Sequence, residues 1–173
     1  MAPVVNSAFA KSFAVRPYVE FSRSSPRFDV TPANERLGVL FHHSVMSFEE
    51  TVDFMCGPNS EVSYHCLIAP DGRRCTIVAD EHRAWHAGAS TFLGRVRCND
   101  FLLGLAFAGD TYVEPLSDLQ LDSALEWLEQ RWQRYGWTID RMIDHRQVSP
   151  GRKDDLNPAE WERLHGAIEK HFG

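Results

Sequence analysis

The sequence has no long uninterrupted apolar run. A helix that crosses a membrane needs about 20 consecutive apolar residues, and no stretch of the chain approaches that length. The opening segment, MAPVVNSAFAKSFAVRPYVEF, is only mildly apolar and is interrupted by Lys11 and Arg16. Because it also lacks a convincing apolar core and cleavage site for secretion, we expect a mature cytoplasmic protein with no membrane partner.

A surplus of basic residues is also missing. The chain has 18 Lys and Arg against 24 Asp and Glu, which gives a formal net charge of -6. Binding to a phosphate backbone needs a basic surface. We therefore expect no nucleic-acid partner.

Cysteine is scarce and unclustered. The four cysteines, Cys56, Cys66, Cys75 and Cys98, form no CxxC pair. This spacing excludes a zinc knuckle built from cysteines and argues against a disulfide framework. Reduced and mostly buried thiols are the expectation.

What is present fits one soluble domain. The chain has 173 residues, of which 43% are hydrophobic and 24% are charged. Prolines interrupt residues 1–35, so we expect this stretch to be irregular and to lie across the surface. We divide the chain into an N-terminal arm, residues 1–24, and a folded domain, residues 25–173.

Apolar patterns and capping residues predict an α/β fold. The segment 61–79 is typical of a hairpin, because two β-rich runs flank Pro70-Asp71-Gly72. The segment 79–100 has no clear period and is long for a loop, which favours a functional role. We predict a single domain with a central mixed β-sheet flanked by about three helices. Further strands are expected at 37–41, 101–109 and 141–143, and helices after Ser47, Ser117 and Asn157.

Two histidines stand out because each follows an apolar, strand-like run. These are His42 and His145, and side chains at the end of a sheet can converge on a cleft. Asp155 follows in the irregular stretch DHRQVSPGRKDD. Catalytic zinc takes three protein ligands, for which imidazole and carboxylate are both suitable. The alternative is that all three are ordinary surface polar groups, and spacing alone leaves both possibilities open.

Four segments give the chain a family resemblance. They are SPRFDVTPANERLGVLFHHS, EVSYHCLIAPDGRR, DEHRAWHAGASTFLGRVRCNDFLLGLAFAGD and DHRQVSPGRKDDLNP. In this order they resemble the zinc-dependent N-acetylmuramoyl-L-alanine amidases, from about Ser25 to the C-terminus. The resemblance is greatest to the cytoplasmic amidases that trim anhydromuramoyl peptides during cell-wall recycling. Phage lysozyme-type amidases and peptidoglycan recognition proteins share the fold.

The resemblance implies a Zn²⁺ site made by His42, His145 and Asp155. The family's apolar-apolar-His pattern selects His42 over His43, whose side chain should point to the other side of the strand. The implied reaction is hydrolysis of the amide between the lactyl group of N-acetylmuramic acid and L-alanine. In the family a lysine at the position of Lys153 stabilises the oxyanion.

One position departs from the recycling amidases. Where they carry a glutamate as proton shuttle, this chain has Ala106, which cannot transfer a proton. Tyr64 stands where the phage amidases, which lack that glutamate, have a tyrosine. The resemblance therefore implies that Tyr64 takes over part of the catalysis, although a tyrosine at this place can also be a core residue.

The remaining candidates are substrate contacts. We predict that Trp85, His86, Arg97 and Asn99 bind the muropeptide, with the Arg97 guanidinium suited to a stem-peptide carboxylate. Glu61 stands where another basic anchor is expected, which leaves the third residue of the stem peptide open.

The main hypothesis is thus a monomeric zinc amidase acting on muropeptides, with anhydromuramoyl fragments as the expected substrate. Two alternatives remain at this point. Ala106 favours a non-hydrolytic module that binds peptidoglycan fragments, whereas three intact ligands favour an enzyme. Tyr64 favours a phage-type lytic amidase that acts on intact wall.

Overall fold

The computed structural model describes residues 18–173. A six-stranded mixed sheet forms the centre, in the order β1-β5-β4-β9-β3-β10. Only the β4–β5 pair is antiparallel in this sheet. Two small antiparallel pairs, β2–β6 and β7–β8, complete the strands of the described chain. The strands are β1 Glu20–Ser22, β2 Phe28–Asp29, β3 Gly38–His43, β4 Cys66–Ile68, β5 Arg74–Thr76, β6 Arg83–Ala84, β7 Thr91–Phe92, β8 Arg95–Val96, β9 Leu102–Phe107 and β10 Met142–Asp144.

Three long helices and one short helix accompany the sheet. Capping boxes at Ser47 and Ser117 begin the first two helices, and Asn157 caps the last one. In each case the capping side chain accepts a backbone N–H that has no partner within the helix. The predicted α/β class, with a mixed sheet and about three helices, is confirmed. The helices are α1 Phe48–Cys56, α2 Asp118–Tyr135, α3 His145–Val148 and α4 Pro158–Phe172.

The alternation of β3 and β9 separates two cores. Val39, Phe41 and Leu105 point to the face covered by α2 and α4. The neighbouring positions, including Leu40 and Ala106, point to the opposite face, where α1, α3 and the long loop pack. All of these side chains are fully buried. Burial of a Val, Leu or Phe side chain is worth about 1.5 to 3 kcal/mol, so both faces contribute to stability.

The N-terminal segment is more regular than predicted. Glu20–Ser22 pairs in parallel with β5 and extends the central sheet, and Phe28–Asp29 pairs with β6. Strands of two or three residues are too short to leave a periodic signal in sequence. Residues 1–17 of the predicted arm lie outside the described residues.

A buried cation fastens this edge strand to the helix layer. The Arg74 side chain is 2% exposed. Its guanidinium donates to Glu20 Oε2 at 2.9 Å and to Glu126 Oε1 at 2.9 Å. It also donates to the backbone oxygen of Ser123 at 3.1 Å. A buried charge is tolerated when it is paired and hydrogen-bonded in this way.

The predicted hairpin is present, and its turn residues behave as expected. β4 and β5 are antiparallel, and Gly72 adopts a positive φ of 87°. The segment 79–100, predicted as a loop, contains the two-residue strands β6, β7 and β8. In the described chain, no helix combines the length and apolarity needed to cross a membrane.

Candidate metal centre

Three predicted side chains meet at one end of the sheet. His42, His145 and Asp155 offer ligand atoms that all lie within 4.8 Å of one another. All three residues are buried, with exposures of 1%, 3% and 6%. The fold thus brings together groups that are far apart in the sequence, between positions 42 and 155.

Parallel strand pairing explains the approach of the two histidines. β3 and β10 are parallel neighbours, so their carboxyl ends lie at the same edge of the sheet. His42 is in the last part of β3, and His145 directly follows β10. Asp144 caps the short helix that His145 begins, and its side chain accepts the backbone N–H of Gln147. This single turn fixes the direction of the His145 side chain.

A return loop supplies the third group. The stretch after α3 folds back so that the backbone N–H of Arg146 donates to the carbonyl of Asp155 at 3.0 Å. Lys153 and Arg152 donate their backbone N–H groups to Ser149 at 3.1 Å. The sequence stretch that contains Pro150 and Gly151 therefore forms a compact turn. The one-turn helix at its start was not predicted, because four residues carry no period.

The donor atoms face one another closely. His42 Nδ1 lies 3.0 Å from His145 Nδ1. The Asp155 carboxylate lies 3.4 Å from the first of these nitrogens and 3.2 Å from the second. The outer nitrogen of the second ring, His145 Nε2, is 3.1 Å from the carbonyl of Ala87. Because this carbonyl can only accept, His145 Nε2 carries the proton. Nδ1 is then unprotonated, and its lone pair is available to a metal ion.

Electrostatics keeps these groups in the forms that bind a cation. Burial, followed by the nearby His145, lowers the pKa of His42 to about 4, so the imidazole is neutral at pH 7. Burial alone would raise the pKa of Asp155, but the adjacent imidazoles of His145 and His42 hold it well below its usual value. Neutral imidazoles and an ionised carboxylate are the ligand forms that zinc requires. Two nitrogens and one carboxylate also fit the ligand count of a catalytic zinc site.

Tyr64 and Ala106 both lie beside His42. The Tyr64 ring is half-buried, with its centroid 5.1 Å from the His42 ring. Ala106 is paired directly with His42 across β3 and β9. Tyr64 packs against the core cluster that contains Ala106. Burial and then the Asp155 charge raise the pKa of the Tyr64 phenol above its usual value.

Lys153 is an exposed neighbour of the cluster. Its charge contributes, after burial and His145, to the low pKa of His42. Lys153 is exposed to solvent and stands two residues before the buried Asp155. His43, by contrast, points to the other side of the strand as predicted, where its Nδ1 lies 2.8 Å from Thr111 Oγ1.

Three of the four predicted substrate residues line one cleft. Trp85, Arg97 and Asn99 share this cleft, which has a volume of about 290 Å³. The Arg97 side chain is 65% exposed, so its guanidinium is accessible. Trp85 Nε1 donates to Asp29 Oδ2 at 2.6 Å. The other residues that line the cleft are Asp29, Arg83, Gly88 and Asp100.

The structure places His86 differently from the prediction. It is 6% exposed and does not line the cleft of Trp85 and Arg97. Its ring instead lies behind His42, with Nδ1 3.0 Å from His42 Nε2. Asn99 is also engaged, because its Oδ1 accepts two backbone N–H groups. The sequence did not predict these contacts or those of Asp29. They join residues of different loops, and such pairs have no regular spacing in the sequence.

Comparisons with known proteins identify relatives of the chain in sequence and in fold. The family model described as N-acetylmuramoyl-L-alanine amidase matches residues 33–158. The 1,6-anhydro-N-acetylmuramyl-L-alanine amidase AmpD of Enterobacter cloacae is 31% identical over 164 residues, covering 83% of this chain and 87% of the relative. AmpD of Haemophilus influenzae is 32% identical over 166 residues, covering 84% and 90%. A crystal structure of a selenomethionine AmpD derivative superposes with a TM-score of 0.74 at 27% identity, covering 88% of this chain and 95% of that one.

Proposed function

The chain belongs to the N-acetylmuramoyl-L-alanine amidase family, and from this membership we propose that it cleaves anhydromuramoyl peptides. The bond hydrolysed is the amide between the lactyl group of the 1,6-anhydro-N-acetylmuramyl unit and L-alanine. The names of the relatives from Enterobacter cloacae and Haemophilus influenzae state this specificity for those proteins. The observation that carries the proposal for this chain is the buried convergence of His42, His145 and Asp155.

We assign these three side chains as the ligands of a Zn²⁺ ion. When bound, zinc supplies Lewis-acid chemistry that polarises the amide carbonyl and makes water a nucleophile near neutral pH. The protein contributes the donor set. Asp155 brings the only negative charge of this set, and the two imidazoles bring neutral nitrogens.

Tyr64 and Lys153 act on the reacting amide. A phenol has a reference pKa of about 10 and is protonated at neutral pH, so Tyr64 Oη serves as a hydrogen-bond donor to the developing oxyanion. Its position beside His42, against the core cluster that contains Ala106, supports this role. The Lys153 ammonium adds a positive charge on the solvent side of the same centre.

We propose that the cleft of Trp85 and Arg97 binds the stem peptide. Arg97 offers an accessible guanidinium, and muropeptides carry several carboxylates. The partner of the enzyme is therefore a small muropeptide. We further propose that the protein works as a monomer in the cytoplasm, and the four free thiols support a reducing compartment.

Mass spectrometry of a defined muropeptide mixture tests the function. The zinc-loaded protein is incubated with equal amounts of anhydromuramoyl and ordinary muramoyl tripeptides. We expect the free tripeptide and the anhydro sugar to appear first. Faster release from the ordinary muramoyl peptide would favour an amidase that acts on intact wall, and release from neither would contradict the proposal.

The matched control is Asp155→Asn, which keeps the shape of the side chain and removes its charge. We expect turnover to fall by more than about a hundredfold, beyond the range seen when contacts outside the ligand set are lost. Zinc content per chain, measured by atomic absorption, should fall in parallel. A variant that retains full zinc and full activity would contradict the ligand assignment.

A further inference from the structure

His86 occupies a decisive position behind the ligand His42. His86 Nε2 lies 3.2 Å from the carbonyl of Leu102, and His86 Nδ1 lies 3.0 Å from His42 Nε2. The two rings are nearly perpendicular, at 88°. The ring of His86 is thus held between a strand carbonyl on one side and a ligand on the other.

The protons of this chain of contacts can be assigned. The Leu102 carbonyl only accepts, so His86 Nε2 must carry the proton that it donates. In a neutral imidazole the other nitrogen, His86 Nδ1, is then an acceptor. It follows that His42 Nε2 donates to it, and that His42 Nδ1 is left without a proton, facing His145 and Asp155.

Ala87, the next residue in the chain, holds the outer nitrogen of His145 in a similar way. The Ala87 carbonyl accepts from His145 Nε2 at 3.1 Å and from the Arg152 guanidinium at 2.5 Å. Two consecutive residues of the long loop therefore face the outer nitrogens of two ligands. Contacts of this kind fix the tautomer and the orientation of a metal-binding imidazole.

Asn99 holds this pair of residues in place. Its Oδ1 accepts the backbone N–H of His86 at 3.0 Å and that of Ala87 at 2.8 Å. Both hydrogen bonds to Asn99 Oδ1 therefore come from the protein backbone, and they fix the position of His86 and Ala87.

Gly104 provides the room for the ring. A Cβ at position 104 would lie only 2.6 to 2.9 Å from three atoms of the His86 imidazole. Gly104 is in the middle of the buried strand β9, where glycine weakens a strand and normally marks a close approach. The close approach here is that of His86.

We propose that His86 is a positioning residue, which is seated over Gly104 and held by Asn99, and which sets the zinc affinity through the tautomer of His42. This gives His86 a role different from the predicted substrate contact, whereas Asn99 also lines the cleft of Trp85 and Arg97. The inference rests on the proposed zinc site. It adds residues that orient the ligand His42 without binding the metal themselves.

Zinc affinity tests the proposal directly. The dissociation constant for Zn²⁺ is measured in competition with a chromogenic chelator for the wild-type protein, His86→Phe and His86→Asn. Phenylalanine keeps a ring but has no nitrogen, so we expect binding to weaken by about 10- to 100-fold. Asparagine can place an oxygen near the position of Nδ1, and we expect it to recover most of the affinity.

Two further measurements distinguish a specific effect on the ligand His42 from a general loss of protein stability. The visible spectrum of the Co²⁺-loaded protein should change in His86→Phe, since the geometry of the ligand His42 changes. Leu128→Ala, in the core on the opposite face of the sheet, is the control that lowers stability without touching this contact. Its zinc affinity and Co²⁺ spectrum should match those of the wild-type protein.

A double-mutant cycle supplies a second route. Gly104→Ala should displace the His86 ring and weaken zinc binding, although it removes no polar group. In a His86→Ala background the added methyl group meets no ring, so Gly104→Ala should have little further effect. Such non-additivity is the signature of two residues that act through one contact.

The outcomes distinguish the two proposals. If the wild-type protein binds no zinc, the proposed metal site itself fails. If the wild-type protein binds zinc and His86→Phe binds it equally well, the positioning role is overturned. An unchanged zinc affinity with a raised KM for the muropeptide would return His86 to the predicted substrate contact.

Discussion

The two faces of the central sheet are covered by different kinds of structure. On one face α2 and α4 pack large apolar side chains, such as Trp127 and Leu164, against the odd-numbered positions of β3 and β9. On the other face, loops cover the ends of the strands, and hydrogen bonds to backbone carbonyls hold His86 and His145. The helix-covered core is held by the packing of apolar side chains, which depends on their volume. The loop-covered strand ends are held by hydrogen bonds, which depend on the positions of individual atoms. We therefore expect changes in the core beneath α2 and α4 to affect mainly stability, and changes in the hydrogen-bonded groups at the strand ends of the loop face to affect mainly the chemistry.

The strongest test of this division is Leu128→Ala on the helix face. Leu128 is fully buried in the core beneath α2, so the cavity should reduce the free energy of unfolding by about 3 to 5 kcal/mol. Urea unfolding measures this loss. Turnover per folded chain should stay unchanged. A large fall in turnover at temperatures where the variant is folded would show that the two faces are coupled.

Tyr64→Phe is the matching change on the loop face. Removing the hydroxyl should lower kcat by about a hundredfold, which corresponds to about 2.7 kcal/mol in the activation barrier. Zinc content and the free energy of unfolding should change little, because the ring still packs beside His42. Steady-state kinetics and metal analysis on the same sample measure both quantities.

A second variant tests whether Tyr64 compensates for the alanine at position 106. Ala106→Glu should raise the low activity of Tyr64→Phe and leave the wild-type rate unaffected. Equal activity of Tyr64→Phe and the wild-type protein would make Tyr64 a packing residue. A faster Ala106→Glu single variant would mean that Ala106 limits the natural rate.

Acid should reveal a smaller effect that originates on the loop face. Burial lowers the pKa of His65 to about 4, while its Nδ1 accepts the backbone N–H of Gly104 at 2.9 Å. In the unfolded chain the His65 imidazole takes up a proton as the pH falls below about 6.5. In the folded chain the same imidazole stays unprotonated until about pH 4. This contribution to stability is therefore complete above pH 6.5 and should fall by about 2 kcal/mol between pH 7 and pH 5.

Urea unfolding of the wild-type protein and His65→Gln at several pH values measures this contribution. Glutamine does not titrate and keeps a donor for the His82 carbonyl, which His65 Nε2 contacts at 2.9 Å. The variant should be less stable at pH 7 and should lose less stability on acidification. Parallel profiles for the two proteins would exclude a contribution from His65.

The helix face was largely predictable from sequence, for a physical reason. Its helices begin at capping boxes such as Ser117 with Gln120, and α2 ends at Gly136, which adopts a positive φ of 66°. These signals are local, so a single sequence contains them. The long buried strands β3 and β9 were found by their apolar runs.

The loop face was predictable only in part. Spacing alone left open whether His42, His145 and Asp155 meet, and the family resemblance was needed to select them. The outer contacts of His86 and Asn99 escaped prediction because they join residues across loops and involve backbone atoms, which have the same chemistry in every residue. The short helix α3 and the edge strand β1 also lacked the length that gives a periodic pattern.

The edge strand decides where a shortened form of the protein should begin. A chain that starts at Ser25 would lose Glu20, and the Arg74 guanidinium would keep Glu126 as its one remaining carboxylate partner among those described. It would also expose β5 as an open edge, and unpaired edges invite strands from other molecules. Truncation at the predicted domain boundary would thus favour self-association, and a recombinant form intended for crystallisation should retain Glu20.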